Sequence, residues 1–386
     1  MQITPRQFLM QFGHALQQCL FAIESELEEM TPQLRLVAAA IALAPVENFV
    51  SARRAQTGRP AKDRTALVTA FLAKAVLNLP STRSLIGRLK VDQALRRLCG
   101  WRSVTAIPDE SKFSRAFAEF AEVKLPEQLH EAIVKATQNE RLVGHIARDS
   151  TAIEARERFA ESKPKRKKKS KAGRPKGPRG KHARAKAIER GTRIQKQRRQ
   201  KLETMLRDLP RQCDIGTKTS SKGHQQSWRG YKLHLDIADG QVPISAVLTS
   251  ASVHDSQVAI PLMTMTSERV AYLYDMMDSA YDADPILEHS RELQHVPIVD
   301  PHPRRGTKKA SQLPKAFPVK LPPQLSPAEA QRYKERTMVE RVNARLKDEF
   351  GGRQIRVRGA AKVMAHLMFG VLALTIDQWL RLAPPG

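Results

Sequence analysis

The chain has 386 residues, of which 41% are hydrophobic, and 66 Lys or Arg against 39 Asp or Glu give a formal net charge of +27. That apolar content is enough for real cores, and so basic a balance points to a polyanion partner, nucleic acid before anything else. Cys19, Cys99 and Cys213 stand far apart with no CxxC pair, which argues against a disulfide framework and against structural zinc and suits a reducing cytoplasm.

The N-terminal stretch MQITPRQFLMQFGHALQQ lacks the charged start and small-residue cleavage site of a secretory signal. Residues 1–135 read as an all-helical domain, with apolar residues at helical spacing in PQLRLVAAAIALAPVENFV and RTALVTAFLAKAVLNL. PSTRSLIGRL restarts a helix after Pro80, capped by Ser81 or Thr82, and IPDESKFSRAFAEFAE opens another at Pro108 and Asp109. Such a stack is either a helix-turn-helix DNA reader or a plain structural bundle. TGRP at 57–60 reads as a turn.

From Arg141 the pattern changes. RLVGHIARDSTAIEA predicts a strand that ends at Asp149. Residues 161–200 then hold 18 Lys or Arg and two Glu, a net of +16. They cannot bury a core, so 161–205 reads as a disordered basic insert that contacts a polyanion. Within it, Gly173-Arg174-Pro175 is similar to the core of an AT-hook, which lays Arg into a narrow A·T minor groove. Arg174 and, in the same basic run, Arg179 are the candidate DNA contacts.

YKLHLDIADGQVPISAVLTS predicts a hairpin, Tyr231–Ile237 and Val242–Thr249, turning at Ala238-Asp239-Gly240. Next come a helix at DSQVAIPLMTM, a strand at RVAYLYD, a helix at DADPILEHSREL, a strand at VPIVD and a long helix through YKERTMVERVNARLK. The order implies an α/β core, a mixed sheet with helices packed on it, over 136–160 and 206–386. The apolar run Val363–Ile376 is short and interrupted by His366, so it reads as a buried core helix, not a membrane span.

Three acids stand out in so basic a chain. Asp149 ends the first strand, Asp278 follows the RVAYLY strand, and Glu340 lies on the late helix. On that helix Tyr333, Arg336, Glu340 and Lys347 form one polar stripe, while Met338, Val339, Val342 and Leu346 form the opposite apolar side. Brought together at one sheet edge, three carboxylates would repel one another without a divalent cation. Hard oxygen ligands favour Mg2+ or Mn2+, and two such ions about 4 Å apart suit phosphodiester chemistry. Asp275, three residues before Asp278, is the rival second acid. Asp255 reads as a helix cap. His145 and His234 read as core or hydrogen-bonded residues, and His254 as a DNA contact.

These residues resemble the Asp-Asp-Glu triad of bacterial insertion-sequence transposases. Asp149 in RDSTAIEA, Asp278 in DSAYD, and the Tyr-x2-Arg-x3-Glu-x6-Lys spacing of Tyr333, Arg336, Glu340 and Lys347 carry the likeness. RGYKLH and TSASVHDSQVA are also similar to segments of that family, as is TGRPAKDRTALVTAFL near the N-terminus. The resemblance implies a ribonuclease-H-like core and two Mg2+ or Mn2+ ions held by Asp149, Asp278 and Glu340. It also implies double-stranded DNA partners, the element's terminal inverted repeats and a target, with Tyr333, Arg336 and Lys347 near their phosphates. It suggests a homodimer or larger assembly in a bacterial cytoplasm, at the nucleoid and away from membranes. The interval between Asp278 and Glu340 is too short for the large β-rich insertion domain of some members. A catalytically inactive DNA-binding relative, or a ribonuclease-H-like nuclease without joining activity, is the alternative.

Overall fold

The computed structural model describes residues 30–50, 63–138, 141–157, 192–219, 223–300 and 325–382. The 57–60 turn, Cys19, and Arg174 and Arg179 with their AT-hook-like core lie outside these residues.

Among the described residues seven α-helices come first: α1 (Pro32–Leu43), α2 (Val46–Phe49), α3 (Arg64–Val76), α4 (Thr82–Val91), α5 (Gln93–Leu98), α6 (Glu110–Glu122) and α7 (Leu125–Gln138). Their starts follow local chemistry. Asp63 caps α3 through the Thr65 and Ala66 amides, Ser81 caps α4 through that of Ser84, and Asp92 caps α5 through that of Leu95. Helix α3 is apolar nearly all round and lies at the centre of the bundle. Phe71 on α3 packs within 4.9–6.3 Å of the rings of Phe113, Phe117, Phe120 and Phe369.

The second half is a six-stranded mixed sheet. Its strands are β1 (Val143–Glu154), β2 (Asp214–Thr219), β3 (Gln225–Ala238), β4 (Val242–Ser250), β5 (Tyr272–Met277) and β6 (Val296–Val299). β1 pairs antiparallel with β3 and parallel with β5, β5 pairs parallel with β6, and β4 and β2 both pair antiparallel with β3. Helices α8 (Arg193–Gln197), α9 (Leu202–Asp208), α10 (Ser256–Ser267), α11 (Asp284–Glu292), α12 (Pro327–Tyr333), α13 (Thr337–Asp348) and α14 (Ala360–Leu382) complete it. Strands and flanking helices together make a ribonuclease-H-like fold preceded by a helical region.

Helix α14 joins the two halves. It packs on α1, α3, α6, α7 and β4, and one continuous apolar core runs from Leu67 and Phe117 through Leu372 to Leu233 and Leu235 of the sheet. It is the one helix among the described residues long and apolar enough to cross a membrane, and nearly every residue from Leu367 to Trp379 is buried inside the protein. The core-helix expectation therefore holds.

Four expectations need correction. β1 does not end at Asp149; it continues to Glu154 because β3 offers partners down to Gly230. The hairpin strand β3 starts at Gln225, earlier than its apolar pattern suggests, because its polar first half pairs with β2. The basic insert does not extend to 205. Thr192 forms a capping box with Gln195 at the start of α8. Ile194, Leu202 and Met205 then fill an apolar cluster against α10, and Gln197 donates to the Gln257 carbonyl at 2.8 Å. Finally, the stripe helix is not continuous. A 3-10 turn at Lys334–Arg336 separates α12 from α13.

Candidate active site

The site forms where β1 outruns β5. The parallel register sets Ala147 beside Met276, and two residues further on Asp149 and Asp278 leave the paired region at the same level. Asp149 is still held in the sheet by its pairing opposite Leu235. Asp278 caps the 3-10 turn Ser279–Tyr281, accepting from the Ala280 amide at 2.9 Å. Burial, reinforced by the negative charges of Asp278 and Asp255, pushes the Asp149 carboxyl up to about 6, against the pull of the Ser150 amide and Arg336. Burial and Asp255 likewise raise Asp278, against the Ala280 amide, Arg336 and Lys218. These are two neighbouring carboxylates without enough positive charge.

Helix α13 brings the third acid. Met338, Val339, Val342 and Leu346 are buried, packing the helix on β1 and β3, so its polar side faces outward as its sequence requires. Glu340 is exposed on that side and accepts from Arg336 at 2.8 Å. Arg336 is half-buried and stands near enough to Asp149 and Asp278 to act on both. In the 3-10 turn, residues three apart eclipse, which sets Arg336 over the Tyr333 ring at 5.7 Å. Lys347 lies half-buried further along. Burial, with Arg353 and Lys218 nearby, holds its ammonium below the usual range.

The structure therefore brings Asp149, Asp278, Arg336 and Glu340 to one end of the sheet, with Tyr333 at the turn. Among the described residues no three carboxylate, thiol or imidazole groups converge into a ready-made ion cage. Asp149 and Asp278 supply two hard oxygen donors from fixed backbone. Glu340 is exposed and paired with Arg336, the guanidinium that also acts on those two acids. The donor set suits a hard divalent cation.

Asp275, the rival second acid, has another job. It is fully buried on the opposite face with Arg148 and Asp236, at 3.3 Å from the guanidinium, which also holds Asp236 at 2.6 Å. Tyr272 and Ser290 donate to Asp275 at 3.0 and 2.7 Å, and Thr266 donates to Asp236 at 2.7 Å. Arg148, with His295 and Ser290, holds Asp275 below the ordinary carboxylate range despite burial. This network ties β1, β3 and β5 together one residue before Asp149.

Asp255 needs correction too. It occupies the N-cap position of α10 but makes no cap hydrogen bond. It accepts from Ser150 at 2.9 Å and from Lys232 at 3.0 Å. Burial works to raise it, but His234, Lys232 and Ser150 outweigh that and hold it below the usual range. It sits close enough to the site to raise both Asp149 and Asp278. Its signal was present in TSASVHDSQVA, and that of Lys232 in RGYKLH. His234 bonds Thr249 at 2.9 Å in the core, and His145 bonds Asp239 at 2.9 Å. His254 is exposed and holds Ser256 at 2.8 Å.

Residues 144–376 match the family model described as the transposase DDE domain, and residues 22–119 match a second one described as a transposase domain. No curated protein matches the chain.

Proposed function

The chain belongs to the DDE transposases of insertion sequences, and we propose that it cuts DNA at its element's terminal inverted repeats and joins the freed ends to target DNA. Asp149, Asp278 and Glu340 would hold two divalent cations, Mg2+ or Mn2+. Such ions, when bound, lower the barrier by activating the attacking oxygen and neutralising the leaving one.

The rest falls to the protein's own groups. Asp149 and Asp278 must both be ionised to ligate, so the proton that burial favours on Asp149 is displaced first. Glu340 turns from Arg336 toward them. Arg336, freed from Glu340, offers its planar guanidinium to a DNA phosphate. Lys347 binds a second phosphate, and Tyr333 holds the strand by stacking or hydrogen bonding. Arg148 fixes β1 and thereby the position of Asp149. Between residues 161 and 191 there are 14 Lys or Arg and two Glu, a net of +12. This stretch, with Arg174 and Arg179, grips duplex DNA. Pairing of two ends calls for at least a homodimer.

The observation that carries this reading is the level placement of Asp149 and Asp278 with too little positive charge around them. An assay of Mg2+-dependent cleavage and strand transfer on a duplex bearing the inverted repeat tests it. Asp149→Ala, Asp278→Ala and Glu340→Ala should each lose both steps while still binding the duplex. Full cleavage by any one of them would reject the triad.

A further inference from the structure

A second basic site lies away from the acids. Between the N-terminal helices and the segment that follows α13 is a cavity of about 440 Å3. The rings of Phe71, Phe117 and Phe369 form its apolar side, and Lys74, Arg356, Arg358 and Lys362 line the rest. Its one carboxylate, Glu110, is engaged by Arg83 at 3.3 Å. His366 at the edge is held by the Gly351 carbonyl at 3.0 Å, and burial pushes its imidazole down to about 4, so it is neutral.

Lys74 is the telling residue. It is only 9% exposed, on a helix turn whose neighbours are apolar. Among the described residues neither it nor Arg356, Arg358 or Lys362 meets a carboxylate. A buried ammonium with no counter-charge is costly, and a methionine would fill the same space without that cost. We propose that the cavity is a phosphate-binding site, with Lys74 at its base and Arg356, Arg358 and Lys362 at its mouth. Burial and Arg356 push the Lys74 ammonium down to about 8. It is therefore still mostly charged at neutral pH, and an arriving anion would raise it again.

The source of the phosphate is either the DNA backbone or a free phosphate-bearing molecule. The lining segment follows directly on α13, which carries Glu340 and Lys347. At 1.5 Å per residue, the helix runs about 12 Å from Glu340 to its end at Asp348, so a duplex lying along it reaches the lining segment just beyond. The DNA source rests on the transposase reading; the site itself does not.

Thermal unfolding of the full chain at pH 7, in inorganic phosphate against chloride of equal ionic strength, tests the site. Phosphate should raise the wild-type midpoint by several degrees, have little effect on Lys74→Met, and have a reduced effect on Arg356→Ala. Undiminished stabilisation in both variants, or none in the wild type, overturns the proposal. The salt dependence of duplex binding then identifies the source. If DNA supplies the phosphate, the slope of log affinity falls by about 0.9 per lost contact in either variant, with cleavage at saturating DNA unchanged. Phosphate stabilisation with an unchanged slope supports the site with a free phosphate ligand. Absence of wild-type cleavage beside an intact phosphate effect would count against the transposase reading alone.

Discussion

Arg148 and Asp149 are neighbours on one strand, and their surroundings are opposites. Arg148 is fully buried and paired with two carboxylates, to which hydroxyls of Thr266, Tyr272 and Ser290 donate, although burial still raises Asp236 and leaves one of its oxygens and the Arg148 Nε without a partner. Asp149 faces the other side, beside acids and one shared guanidinium, with its carboxyl pushed up to about 6. A buried network with a counter-charge of its own has most of its electrostatic work done when the chain has folded. An unmatched pair of carboxylates at an open sheet edge has not, and such frustration is a mark of sites that await a ligand.

The sharpest way to break this contrast is to swap the acids. Asp149→Ala or Asp278→Ala should lower the cleavage rate by at least about a thousandfold, as expected when one member of a cooperating unit is lost, with the fold kept. Asp275→Ala should instead lower stability, and any lost activity should track unfolding. Circular dichroism melts beside single-turnover cleavage separate the two. A folded but inactive Asp275→Ala would show that the wrong acid was chosen.

Breaking the matched side comes next. Arg148→Met leaves Asp236 and Asp275 buried without their counter-charge, a loss of about 3–5 kcal/mol, read by urea unfolding. A loss below about 1 kcal/mol would mean that the network does not hold β1.

Relieving the unmatched side should do the reverse. The folded-state pKa of Asp149 lies above its ordinary 3.8, so the native chain binds that proton more tightly than the unfolded one. Its ionisation therefore costs stability as pH rises from about 4 to about 6, and the cost persists above that. Asp149→Asn should be more stable than wild type by about 1–2 kcal/mol at pH 8, with the gain vanishing near pH 4. Lys347→Ala should have the smallest effect on the fold, within about 1 kcal/mol. It should still slow strand transfer, since Lys347 is proposed to hold phosphate.

Much of this contrast could be read from the chain. The apolar face of α13 follows from spacing alone, because a helix repeats its faces with a fixed period, whereas the choice of Asp149, Asp278 and Glu340 rests on their resemblance to the transposase triad. The second half of β1 was not legible, since Asp149-Ser150-Thr151 reads as a polar stop until β3 supplies its partners. Helices α8 and α9 were hidden by the surrounding cations, whose density masks the three apolar residues that anchor them. The 3-10 break at Lys334–Arg336 leaves no mark in the residue pattern, since neither glycine nor proline sits there. Asp255 was misread because Asp at a helix start usually caps it; only tertiary contact with Lys232 and Ser150 turns it toward the site.

The central claim is that Asp149 and Asp278 are poised for a cation. It is tested most directly by the melting temperature of the full chain at pH 8 with and without Mn2+, for wild type and Asp149→Asn. The account predicts that the variant melts higher without metal, that Mn2+ stabilises the wild type, and that Mn2+ leaves the variant nearly unchanged. Equal Mn2+ stabilisation of both proteins would contradict it.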